Sequence, residues 1–138
     1  AWLTGFGGSA ATVAVLADRA AIFVDGRYTL QVRDQVDGRL YEYCSVPQDS
    51  IAAWLAAHAP EGGRIGYDAW LHTAGWARAV AARLAEAGAV LEAVADNPLD
   101  AVWADRPAPS PAPVFLQDEA LAGRSSADKR AAIAAWLE

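Results

Sequence analysis

Three times in succession a short apolar run is followed by residues that cap and build a helix, and that grammar confines the chain to alternating strands and helices. "AAIFV" leads into "DGRYTLQVRDQV", "LYEYCSV" (40 to 46) into "QDSIAAWLAAH", and "RIGYD" (64 to 68) into "HTAGWARAVAARL". The runs are rich in β-branched and aromatic residues, as buried strands are, and the segments after them place apolar residues at helical spacing. Tyr28, Val32 and Val36 recur every fourth position; Ile51, Trp54, Leu55 and His58 follow i, i+3, i+4 and i+7; Trp76, Val80 and Leu84 form a third stripe. Asp25, then Asp49 or Ser50, then Thr73 stand where an N-cap belongs. Gly38, the Pro60-Glu61-Gly62-Gly63 cluster and Gly88 mark the three ends. "ATVAVLA" (11 to 17) ahead of "AAIFV", with Ala17-Asp18-Arg19 between them, reads as an antiparallel hairpin, and "AVLEAV" (89 to 94) adds a last strand. The expectation is an α/β layer fold, a mixed β-sheet flanked by helices.

From Asp105 the grammar changes. Pro107, Pro109, Pro111 and Pro113 come every second residue, so "RPAPSPAPVF" is extended and lacks backbone donors at those four positions. An interdomain strap over 105–124 suits it better than a proline-recognition ligand. "SSADKRAAIAAWLE" then starts a helix capped by Ser125 or Ser126, with Ile133, Trp136 and Leu137 on one stripe. A helix of roughly 12 to 15 residues is marginal alone in water, so that stripe calls for a partner beyond Glu138. The divisions expected are a domain over 1–104, the strap, and the first helix of a second domain over 125–138. The absence of Met and an end that falls within a helix pattern lead to the expectation that this is part of a longer chain.

Charge and composition remove several function classes. Eleven basic against seventeen acidic residues give a net charge of -6, and the isoelectric point is about 4.8. Nucleic acid and anionic membrane surfaces are bound through clustered Lys and Arg, so neither is expected as a partner. No apolar run approaches the roughly 20 residues that span a bilayer, and no basic-then-apolar leader opens the chain. The single Cys44 allows no internal disulfide, and a cytoplasmic location is the expectation. Hydrophobic residues make up 54 % of the chain, but many are Ala, so the six Trp are expected to supply much of the core volume.

Candidate chemistry is thin. "TGFGGSA" (4 to 10) has the glycines of a phosphate cradle in the wrong order, ahead of a strand rather than between a strand and a helix, and no Lys follows. Ala11 breaks the Gly-x-Ser-x-Gly pattern of a nucleophile elbow. His58 and His72 lack a second ligand at i+3 or i+4, so structural roles are expected for both and no metal is assigned. Asp25 beside Arg27 reads first as a strand-to-helix corner, since exposed Asp–Arg pairs are common and contribute little. No catalytic residue is assigned within the chain.

Quoted together, "WLTGFGGSAATVAV", "AAIFVDGRYTLQVRDQV", "IGYDAWLHT", "NPLDAVWADRP" and "LAGRSSADKRAAI" resemble the N-terminal creatinase-type region of the Xaa-Pro aminopeptidases, also called aminopeptidase P, in its three-domain form. The five segments occur in the family's order and cover most of the chain. Gly7 stands where relatives often carry Thr, and Ala69 where Pro is common. The resemblance makes Gly5, Gly8, Ser9, Asp25, Gly26, Arg27 and Tyr28 a structural signature. It implies that a strand and a helix precede "WLTGF" in relatives, so the sheet here is expected to lack a strand.

The same resemblance implies that catalysis belongs to another domain. There, two Asp, one His and two Glu hold a pair of divalent ions, often manganese, whose bridging water attacks the bond before proline. None of those five positions has a counterpart here, and the fragment alone is expected to hydrolyse nothing. Its implied partners are its own catalytic domain, a second subunit in a homodimer, and short proline-containing peptides whose access it restricts. Phe6 and Arg27 are the candidates for that entrance. A non-enzymatic peptide- or protein-binding module of the same architecture is the rival reading, and nucleotide binding is disfavoured by the loop order.

Overall fold

In a computed structural model, residues 1–137 are described, and the chain divides into two compact units, Ala1–Asp105 and a second that begins at Arg106. The first unit carries β1 (Thr12–Val15), β2 (Ala20–Asp25), a 3-10 turn (Gly26–Tyr28), α1 (Gln31–Gln35), β3 (Glu42–Val46), α2 (Ile51–His58), β4 (Arg64–Asp68), α3 (Ala74–Glu86), β5 (Val90–Val94) and α4 (Pro98–Val102). The second carries α5 (Glu119–Ala122), within the segment expected as a strap, and α6 (Ser126–Leu137).

The fold class is the mixed α/β arrangement expected. β1 pairs antiparallel with β2, Val13 opposite Ile22, and β2 pairs parallel with β3, Phe23 opposite Cys44. The strands do not form a single ladder, however. Among the described residues, β4 and β5 make a separate parallel pair with Ile65 opposite Leu91. Local patterning identifies strands, while their neighbours are chosen by contacts distant in sequence.

Alternation along the strands sends side chains to two cores. Ala14, Ala21, Phe23 and Cys44 face Trp54 and Leu55 of α2 and Val80 and Leu84 of α3. Ile22 and Val24 point to the opposite face, against Phe6, Val32 of α1 and Val36 just after that helix. The largest fully buried side chains are Ile22, Leu84, Val32 and Val80. The expectation that tryptophan fills the core fails: Trp54 alone of the six is buried, and Trp70 is 95 % exposed. Indole is bulky and carries a donor, so it is seldom wholly buried; that of Trp54 donates to Glu42 Oε2 at 2.9 Å.

The caps of α2, α3 and α6 are those the spacing predicts. Ser50 accepts from Ala53 N, Thr73 from Trp76 N, and Ser125 from Asp128 N. The segment after Asp25 departs from a single helix. Asp25 accepts the N–H of Arg27, two residues on, which tightens the first turn into a 3-10 turn before α1 begins. Nor does Gly38 end α1. The helix stops at Gln35, Tyr43 Oη donates to the Val36 carbonyl at 2.5 Å, and Gly38 lies where a Cβ would come within 2.8 Å of that phenol oxygen.

Candidate functional site

The signature residues converge on one corner, where the C-terminal end of β2 meets the glycine loop ahead of β1. Asp25 is at once the last residue of β2 and the cap of the 3-10 turn. Its Oδ1 accepts from Arg27 N at 3.0 Å and Arg27 Nε at 2.9 Å, and its Oδ2 accepts from the guanidinium NH2 group at 2.6 Å. The Arg27 side chain bonding to it, aided by that backbone N–H, holds the Asp25 carboxyl down at about 2. The guanidinium also lies 5.2 Å from the centre of the Tyr28 ring.

Tyr28 ties the corner to the glycine loop. Its phenol oxygen lies 2.6 Å from Ser9 Oγ and accepts from Ser9 N at 3.4 Å. The hydroxyl of Ser9 draws the Tyr28 phenol below its ordinary pKa by stabilising the phenolate. Gln35, at the end of α1, braces the same loop, accepting from Gly7 N at 2.8 Å.

Two glycines owe their identity to this closeness. Gly5 has φ of +77°, and a Cβ there would meet Gln35 O at 2.7 Å; at Gly8 it would meet Phe6 Cζ at 2.3 Å. Gly26 has nothing within 4 Å, so space gives no reason for its glycine.

The two entrance candidates take different positions. Phe6 is 4 % exposed and meets Tyr28 edge to face at 5.5 Å between ring centres, so it lies behind the corner. Arg27, with 67 % of its side chain exposed, is the group that reaches solvent. The loop offers backbone N–H groups that are already taken, at Phe6 by Thr4 Oγ1, at Gly7 by Gln35 and at Ser9 by Tyr28. The arrangement can present a fixed cation.

Elsewhere both histidine rings bond backbone carbonyls. His58 Nδ1 bonds the Trp54 carbonyl at 2.8 Å, and His72 Nδ1 bonds that of Asp68 at 3.1 Å. Cys44 is buried, and desolvation pushes its thiol up, away from the thiolate a nucleophile needs. Among the described residues no group of three or more His, Cys, Asp or Glu is placed to hold a metal ion. The donor set for the implied ion pair is not found on these residues. No helix is long and apolar enough to cross a membrane among the described residues.

Sequence reasoning missed two features. Nothing local in the sequence marks the bond between Gln35 and Gly7 N, 28 residues away. Asp37-Gly38-Arg39 repeats the Asp25-Gly26-Arg27 geometry, with Arg39 N and Nε on Asp37 Oδ1 at 2.9 and 3.0 Å and the Asp37 carboxyl also held down at about 2. The repeated Asp-Gly-Arg was the available signal.

A family model described as the creatinase/prolidase N-terminal domain matches residues 1–97. The chain is 30 % identical to Xaa-Pro aminopeptidase 2 of Rattus norvegicus, over 100 % of this chain and 21 % of that protein. It is 34 % identical to Xaa-Pro aminopeptidase 2 of Sus scrofa, over 94 % and 19 % respectively. The crystal structure of X-prolyl aminopeptidase from Caenorhabditis elegans, described as "a cytosolic enzyme with a di-nuclear active site", matches with a TM-score of 0.78 and 30 % identity, over 93 % of this chain and 21 % of that one. The chain thus spans about a fifth of the length of these relatives. By residues 1–97 it belongs to the creatinase/prolidase N-terminal domain family, and the homologues it matches are Xaa-Pro aminopeptidases.

Proposed function

We propose that this chain is the non-catalytic front of a longer, metal-dependent Xaa-Pro aminopeptidase, an enzyme that removes the residue preceding a proline at the N-terminus of a peptide. The observation that carries this reading is the match along nearly the whole chain to peptidases about five times as long. The catalytic residues and two divalent ions, manganese by the resemblance, belong to the part outside residues 1–138. The unit of residues 1–104 restricts access to that centre and contributes to a homodimer. Residues 105–124 are the strap, and 125–138 open a second domain whose remainder covers Ile133, Trp136 and Leu137, all exposed here. The enzyme is cytoplasmic, as the X-prolyl aminopeptidase of Caenorhabditis elegans is cytosolic.

At the entrance, Arg27 is the residue placed to meet a peptide, with its guanidinium fixed on Asp25 and its outer N–H groups facing water. Phe6 acts from behind, through the Tyr28 ring. Reading the parent gene past the codon for Glu138 tests the proposal. A spaced Asp, Asp, His, Glu, Glu set downstream supports the enzyme; a downstream domain without that set leaves a binding module instead.

A further inference from the structure

The turn between β4 and α3 holds two large apolar side chains out in water. Trp70 is 95 % exposed and its neighbour Leu71 69 %. Apolar residues scattered singly over a surface are ordinary. This pair differs in being adjacent and in standing on a backbone that is fixed from several sides.

Asp68, the last residue of β4, supplies most of that fixing. Its Oδ1 accepts from Trp70 N at 2.8 Å, and its carbonyl accepts from Leu71 N at 3.1 Å and bonds His72 Nδ1 at 3.1 Å. The His72 ring in turn lies 3.8 Å from that of Trp76 in α3, centre to centre, and meets Tyr67 of β4 edge to face at 5.9 Å. Thr73 closes the turn by capping α3. Side chains on a turn ordered beforehand lose less freedom when they are covered, and tryptophan is enriched among the residues that carry most of the energy of an interface.

Size decides what can cover them. One aromatic side chain buries about 150–250 Å², and Leu71 adds less than that again. A stable association between separate molecules takes roughly 800 Å² from each partner, so the pair is too small to hold a second copy by itself. Within one polypeptide the cover is already present at an effective concentration on the order of millimolar, and a single knob suffices. The chain also leaves the unit close by: Asp68 Oδ2 accepts from Asn97 Nδ2 at 3.0 Å, so α4, the last helix before Asp105, starts beside this turn.

We infer that Trp70 and Leu71 are an anchor seated in an apolar pocket of the same polypeptide, in the part of the longer protein outside residues 1–138. Relatives about five times as long leave ample chain to supply that pocket. The inference rests on the reading that this chain is part of a longer protein, and it assigns the docking to a surface separate from the corner of Asp25 and Arg27.

Hydroxyl-radical footprinting of the full-length protein, read at Trp70 with buried Trp54 as the internal reference, tests it. Oxidation of Trp70 slowed roughly ten-fold or more from that of an open indole, and unchanged on dilution, is the expected result for a desolvated anchor. Oxidation at the open rate overturns it, and so does protection that fades on dilution, which assigns the turn to a second copy. A photoreactive benzophenone side chain in place of Leu71 identifies the cover. Attachment within the same molecule, outside residues 1–138, is expected; attachment anywhere else, or none, overturns the inference. Peptidase activity of the unmodified sample reports separately on the functional reading, so an active enzyme with a freely oxidised Trp70 refutes the anchor alone.

Discussion

Ser9 Oγ and Tyr28 Oη lie 2.6 Å apart, and that contact joins the glycine loop to the corner formed by Asp25 and Arg27. One side chain thereby links two segments 19 residues apart in sequence, while its ring meets Phe6 on the buried side.

Tyr28→Phe removes the phenol and keeps the ring, so it should destabilise the chain by about 1 kcal/mol, the usual net worth of one hydrogen bond. Tyr28→Ala also loses the contact with Phe6 and should cost more. Urea unfolding of the two variants measures the difference, and equal losses would show that the ring contact with Phe6 contributes nothing beyond the hydroxyl.

Gly8 should respond to Ala far more strongly than Gly26. The added methyl at residue 8 meets the Phe6 ring at 2.3 Å, and overpacking of that kind costs about 1–3 kcal/mol. At residue 26 nothing lies within 4 Å, and a change within about 0.5 kcal/mol is expected. Midpoints of thermal unfolding for the two variants check this contrast.

The Asp25 carboxyl should titrate near 2 rather than at its ordinary 3.8. Because the folded value lies below the unfolded one, its contribution to stability is present in full above about 3.8 and is lost as the pH falls through about 2. Carbon-detected NMR titration reads the midpoint directly. Arg27→Gln should move it up toward the ordinary value, and an unmoved midpoint would remove the guanidinium as the cause.

Leu84 is fully buried between the helix layer and the strands. Leu84→Ala should cost about 2–5 kcal/mol, within the range for leucine in a close-packed core. A loss below about 1 kcal/mol in chemical denaturation would mean that the two sheets do not share this core.

Much of the fold is written locally. Apolar periodicity locates β1 to β5 and α2, α3 and α6, because each face must be buried, and Ser50, Thr73 and Ser125 are legible as caps because a hydroxyl there meets free N–H groups. What escapes local reading depends on partners distant in the chain. The separation of β4 and β5 from the other strands, the burial of Phe6 under Tyr28, and the brace from Gln35 to Gly7 all arise from remote contacts. Gly38 looks like a helix stop, yet its place is set by the phenol of Tyr43. At the candidate site the Asp25 cap was legible, while the buried position of Phe6 and the exposed position of Arg27 required the packed structure.

The central claim, that this chain is the non-catalytic front of a metal-dependent Xaa-Pro aminopeptidase, is tested most directly by release of the N-terminal residue from an Xaa-Pro-Pro peptide. The full-length protein is assayed with manganese and with a chelator, alongside residues 1–138 alone. The account predicts turnover by the full-length protein, its loss with the chelator, and none by residues 1–138. Turnover by residues 1–138, or none by the full-length protein with manganese, would contradict it.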